Sequence, residues 1–218
     1  MFLDGHKSCT MREQDSIMQG DKEMDKRDWI GRWARYLVIL YFVGALSGIA
    51  HEFGHFFVIR ALGYYPRVSF KAGRVETYDA QGNLAENQTP RERLFMSAGG
   101  PAVTLFLAVG FTGCFLKRRD SFLLFACAIT NAVMRLNMYV DGYNSDEGNM
   151  SEILVKMLGN QGAFLVPLTE WTIFIGLSCF LIDRQTFFKR TYWFIPLFFV
   201  IAGVSIVSSF AILGHVLR

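Results

Sequence analysis

Long apolar runs separated by short polar clusters dominate this chain. A helix crossing a bilayer needs about twenty such residues. By that measure the pattern predicts about five spans, at residues 35–62, 94–116, 122–140, 163–182 and 192–217. Charged side chains gather between the runs, as at Lys117-Arg118-Arg119-Asp120. Residues 1–33 break the pattern, mixing acids and bases with scattered methionines. They read as a polar N-terminal tail. They do not read as a signal peptide, because no apolar core follows a short basic start. Trp29, Trp33 and Tyr36 stand at the entry to the first run, where amphipathic rings anchor a helix at the headgroup level.

Between the first two runs the period changes. Val68 to Phe70 and Arg74 to Tyr78 carry β-branched and aromatic residues around Ala72-Gly73, and Asp79-Ala80-Gln81-Gly82-Asn83 is rich in turn formers. This predicts short strands or a hairpin beside the membrane. The fold class is therefore an all-α polytopic membrane protein, integral and multi-pass, with a small β-hairpin-like insertion after the first helix. Residues 34–218 form one membrane-embedded domain.

Composition agrees. Hydrophobic residues make up 52% of the chain and 21 are phenylalanine, more apolar surface than so short a chain can bury in water. The net charge of +3 is spread over the loops with no basic stripe, which argues against a nucleic-acid partner. Cys9, Cys114, Cys127 and Cys179 lack paired spacing, so neither a disulfide framework nor a zinc knuckle is expected.

The candidate chemistry lies in the first run. His51-Glu52-Phe53-Gly54-His55 follows Tyr36 to Ala50, fifteen residues without a charge. Histidines four apart stand one above the other on a helix, so both imidazoles can reach one metal ion. Glu52 falls on a neighbouring face, where it can take a proton from the attacking water. Ionisable groups in lipid are costly unless paired or metal-bound, so their presence here needs a reason. A hydrolytic zinc site takes a third protein ligand and keeps a position open. His6 and His215 lie far away in sequence, so the search turns to acids near span ends. Asn137 to Gly148 holds three of them among glycines and asparagines; Asp141 and Asp146 are the competing ligands. Ala98-Gly99-Gly100-Pro101-Ala102 opens the second run, and its small residues let two helices approach closely.

Together these pieces resemble the site-2 protease family of intramembrane zinc metalloproteases. The matching elements are His51-Glu52-Phe53-Gly54-His55, Arg60-Ala61-Leu62-Gly63, Glu92-Arg93-Leu94 leading to Gly99-Gly100-Pro101, and an asparagine-to-aspartate segment after the third run. They cover about Val38 to Leu158. The chain departs from the family pattern at Thr104, where an asparagine is frequent, and after Asn137, where a proline is missing. The resemblance implies a Zn²⁺ cofactor held by His51, His55 and Asp146, since Ser145-Asp146 matches a family variant better than Asp141-Gly142. It implies Glu52 as the catalytic base and substrate contacts at Asn137, Gly100 and Pro101. The expected partners are the lipid bilayer and a membrane-protein substrate whose transmembrane helix is cleaved. A non-catalytic membrane scaffold or binding protein retaining a metal site is the alternative. Sidedness is divided: the balance of Lys and Arg puts the amino terminus in the cytoplasm, whereas the resemblance puts the site near the cytoplasmic face.

Overall fold

The computed structural model describes residues 26–69, 74–134 and 146–187, together with Pro196, Val200, Ile201 and Val204. The chain divides into two compact units, Met1–Val38 and Ile39–Arg218. The first contributes residues 26–38 to the description, all helical. The second holds everything that follows.

The architecture is mostly helical with one small antiparallel sheet after the first helix. Helix α1 spans Lys26–Ala61, β1 Tyr65–Ser69, β2 Arg74–Tyr78, α2 Pro90–Lys117, α3 Phe122–Met134 and α4 Asp146–Leu158. A 3₁₀ turn at Gly159–Gln161 leads to α5 (Gly162–Glu170), a π-helical turn (Trp171–Ile175) and α6 (Gly176–Arg184).

Local chemistry explains the helix ends around the sheet. Past Ala61 the Gly63 amide donates to the Arg60 carbonyl (3.1 Å) and the Tyr64 amide to the Ile59 carbonyl (3.2 Å). This crossed pair needs a residue at positive φ, and Gly63 supplies it at +88°. At the start of α2, the Glu92 amide donates to the Thr89 hydroxyl and the Thr89 amide to the Glu92 carboxylate. That reciprocal cap, with Pro90 at the first helical position, fixes where the second apolar helix begins. In the sheet Arg67 stands opposite Glu76 and Val68 opposite Val75. The observed first strand begins at Tyr65, earlier than the β-branched run alone indicated.

Among the described residues two helices, Ile30–Ala61 and Pro90–Lys117, are long and apolar enough to cross a membrane; about five spans were expected over the whole chain. Of the third expected span, Phe122–Met134 is helical, and 135–145 lie outside the described residues. The fourth is helical from Gly162 to Arg184 but broken into α5, the π turn and α6. Pro167 lacks the N–H that would close the α-helical ladder there, and Gly176 follows the π turn. The fifth lies almost wholly outside the described residues.

The core of the second unit is built around α3. Phe125, Ala126, Ala128, Ile129, Ala132 and Val133 are fully buried, so this helix is covered on every side from Ala128 to Val133, while Leu123 near its start is exposed. It returns antiparallel along α2, with the rings of Phe115 and Phe125 at 5.6 Å. Ala108, Ala132 and Phe174 join α2, α3 and the π turn in one apolar cluster. Helix α4 packs against α2 and α5, and Gly162 lies so close to the Leu154 backbone that a side chain there would collide with it.

Candidate metal centre

The buried face of α1 passes through Leu40, Val43, Ser47, His51, His55 and Ile59, spaced three or four residues apart. This is the stripe that a helix turns inward. Near its middle the residues become small or polar: Gly44, Ser47, Gly48, His51, Gly54, His55. Bulky apolar side chains give way there, and α2 approaches backbone to backbone. A Cβ on Gly99 would lie 2.7 Å from the Gly54 carbonyl oxygen and 3.0 Å from Val58 Cγ2. Gly54 faces Gly99 and Gly100 in the same way. One residue on, a Cβ at Gly100 would run into His51 Cε1 and Nδ1 and His55 Nε2. The absent side chain is the room in which the two imidazoles stand.

Three ligand-type atoms converge there. His51 Nε2 and His55 Nε2 each lie 3.0 Å from Asp146 Oδ2, and 3.1 Å from one another. Asp146 comes from the first residue of α4, ninety-five positions beyond His51 in sequence. The imidazole planes are nearly perpendicular, at 88° with centroids 4.7 Å apart.

The protons show what this triangle suits. His55 Nδ1 lies 2.6 Å from the Met96 carbonyl oxygen, which has no proton to give. Nδ1–H is therefore the donor, and in the neutral ring Nε2 is left with a lone pair. That lone pair faces a carboxylate oxygen and a second imidazole nitrogen at hydrogen-bond range. A cation among the three atoms resolves the crowding. A tetrahedral ion held at about 2.0–2.1 Å sets neighbouring ligand atoms roughly 3.3 Å apart, close to the observed spacing. The outer contact of His55 to a backbone carbonyl is the support that metal-bound histidines use to fix tautomer and ring direction. His51, His55 and Asp146 thus form a group that could hold a metal ion.

Electrostatics agree. Burial raises the Asp146 carboxyl, but contact with the His51 and His55 imidazoles outweighs it and holds the group below the usual carboxylate range. Access is one-sided: the His51 and His55 side chains are 5% and 10% exposed, that of Asp146 23%. Gly100 packs against the site on the histidine side.

Glu52 is half-buried on α1 beside His51, and its charge acts on His55. Gly100 and Pro101 are buried in α2. Thr104, where the family frequently has asparagine, turns its hydroxyl back to the Pro101 carbonyl at 2.9 Å, with the Gly100 carbonyl at 3.3 Å. Asn137 and Asp141 lie outside the described residues. Two participants carried no mark in the sequence reading. The Met96 carbonyl is a group every residue owns. The Gly54 contact was legible only as a small residue between two histidines.

Comparison with protein-family models, with curated proteins and with solved structures finds no match, so the centre stands on its own geometry.

Proposed function

We propose that this chain is an intramembrane zinc metalloendopeptidase of the site-2 protease type, a multi-pass protein of about five spans that cleaves membrane-protein substrates in or near their transmembrane helices. One observation carries the reading: His51, Glu52 and His55, on a helix long and apolar enough to cross a membrane, meet a carboxylate ligand delivered from ninety-five residues away. A structural metal would use the same three ligands but has no need of a glutamate beside them.

His51, His55 and Asp146 would hold Zn²⁺. Bound there, the ion supplies a Lewis acid that makes water acidic near neutral pH and polarises a carbonyl. The protein does the rest. The Met96 carbonyl keeps the His55 Nδ1 proton in place, so Nε2 offers a lone pair. Glu52 accepts the proton of the attacking water and returns it to the leaving amine as the C–N bond breaks. Gly100, by lacking a side chain, leaves the histidines their space. The substrate helix must unwind before a peptide bond can reach the centre, because helical backbone groups are tied to one another. The strand pair β1–β2 offers backbone donors and acceptors to the unwound segment. On the outer edge of β2, Ala85 donates to the Thr77 carbonyl at 3.0 Å, so this edge can take a further strand-like partner.

Comparative membrane proteomics of cells carrying native or Glu52→Gln protein tests the assignment. The variant should retain its metal and lose cleavage by about a hundredfold or more. Accumulation of uncut membrane proteins identifies the substrates. Undiminished processing with Glu52→Gln would favour the non-catalytic scaffold retaining a metal.

A further inference from the structure

The two ends of the helical unit dispose their charges differently. Near the metal centre, cations stand among acids and aromatic rings. Lys156 pairs with Glu152, the Arg67 guanidinium lies 4.4 Å from the Tyr78 ring centroid, and Arg60 covers Tyr65 at 5.0 Å. At the other end, α2 runs out into Lys117, Arg118 and Arg119, all exposed. The end of α6 arrives at the same place. Phe187, just beyond Arg184, has its ring 5.4 Å from Phe122, 5.9 Å from Phe125 and 6.5 Å from Phe115. Arg184 is exposed there, 3.6 Å from Asp183 and with its guanidinium 5.5 Å from the Phe180 ring centroid. Asp120 is the other carboxylate at this end. Four described cations therefore face two acids above a floor of phenylalanine rings.

We propose that this basic end is a binding surface for anionic lipid headgroups. The observation that favours lipid over a plain solvated face is position. Lys117 closes a helix long and apolar enough to cross a membrane, so the cations after it stand at headgroup depth. Guanidinium groups fork onto phosphate oxygens, and long basic stems reach along apolar surface while their charges stay in the polar layer. Each such cation adds to attraction by an anionic leaflet. The proposal rests on the membrane reading and is independent of the hydrolase reading, because none of these residues belongs to the metal centre.

The test uses the full chain extracted in mild detergent and offered an equimolar mixture of phosphatidylglycerol and phosphatidylcholine. Retained lipid is then read by native mass spectrometry. The native chain should hold phosphatidylglycerol in preference. Lys117→Gln, Arg118→Gln, Arg119→Gln and Arg184→Gln combined should lower that preference by about tenfold or more, with metal content unchanged. Raising the salt concentration weakens the preference of the native chain as well, a check that needs no variant. Equal retention of the two lipids by the native chain, or an unaltered preference in the variant, overturns the proposal. Displacement of the bound lipid by millimolar inorganic phosphate also overturns it, in favour of a free-phosphate site. Fractionation of native cells separates the premise: recovery without detergent would remove the membrane reading whatever the hydrolase does.

Discussion

At Gly100 a single hydrogen in place of a side chain decides whether the centre exists. A methyl group there meets both imidazoles at once, and the neighbouring glycine pair holds α1 and α2 too close for the helices to part cheaply. Gly100→Ala should therefore destabilise the protein by about 1–3 kcal/mol through overpacking and sharply reduce bound metal. Gly113 in the same helix has open space where its Cβ would be. Gly113→Ala should leave metal content unchanged and raise stability by roughly 0.5–1 kcal/mol, since alanine loses less backbone freedom in a helix. Metal analysis with thermal unfolding of both variants separates the two effects. Equal metal loading in Gly100→Ala and native protein would show that the imidazoles do not depend on this approach. Sequence displayed the glycines as a small-residue run, which any close helix crossing would produce. It did not display which partner they approach.

At the scale of elements, the centre is assembled from three helices with different tasks. Helix α1 supplies the two histidines and Glu52 at helical spacing, which is why this part was legible from five consecutive residues. Helix α2 contributes only backbone: a missing side chain at Gly100 and a carbonyl at Met96. Helix α4 brings one carboxylate at its first residue. The sequence could not choose between Asp146 and Asp141 by residue type, because both are acids near glycines. Asp146 begins a helix packed on α2, a long-range property, and Asp141 lies outside the described residues. Substitution tests the choice directly. Asp146→Ala should lose most of the bound metal, because two imidazoles alone make a weak site. Asp141→Ala should keep it. Metal content by mass spectrometry on both purified variants decides, and the reverse pattern would move the third ligand to Asp141. The turn chemistry was more transparent. Arg74 to Tyr78 shows its strand in β-branched and aromatic content, because that signal acts within a few residues, whereas the helix start at Pro90, four residues before the expected run, rests on the Thr89–Glu92 cap.

For the whole molecule, the apolar pattern located where helices lie better than how many cross a membrane. Length and continuity of α1 and α2 are local properties and survive intact. The π-helical turn at Trp171–Ile175 is a change of hydrogen-bond pattern that a sliding hydropathy window averages away. Exposure supplies a further argument for lipid contact. Phe42, Leu46, Phe53 and Phe57 on α1, Phe95, Phe106 and Val109 on α2, and Phe164 and Leu168 on α5 are all exposed. In water such surface would drive association. In a bilayer it costs nothing, and the multi-pass arrangement proposed above would then fix which loops share a side. On the proposed topology helix α2 would carry the chain across between Asn83 and Asp120, and the segment from Gly162 to Arg184 would carry it across again between Asn160 and Thr186. Single cysteines at these four positions, in a background whose native cysteines are replaced by serine or alanine, test this with a membrane-impermeant maleimide. Asp120→Cys and Thr186→Cys should label from one side of sealed vesicles, and Asn83→Cys and Asn160→Cys from the other. Labelling of Asn160→Cys and Thr186→Cys from the same side would mean that the broken helix folds back without crossing. In that case the metal centre, set beside α4, would border a membrane surface in place of a bundle interior.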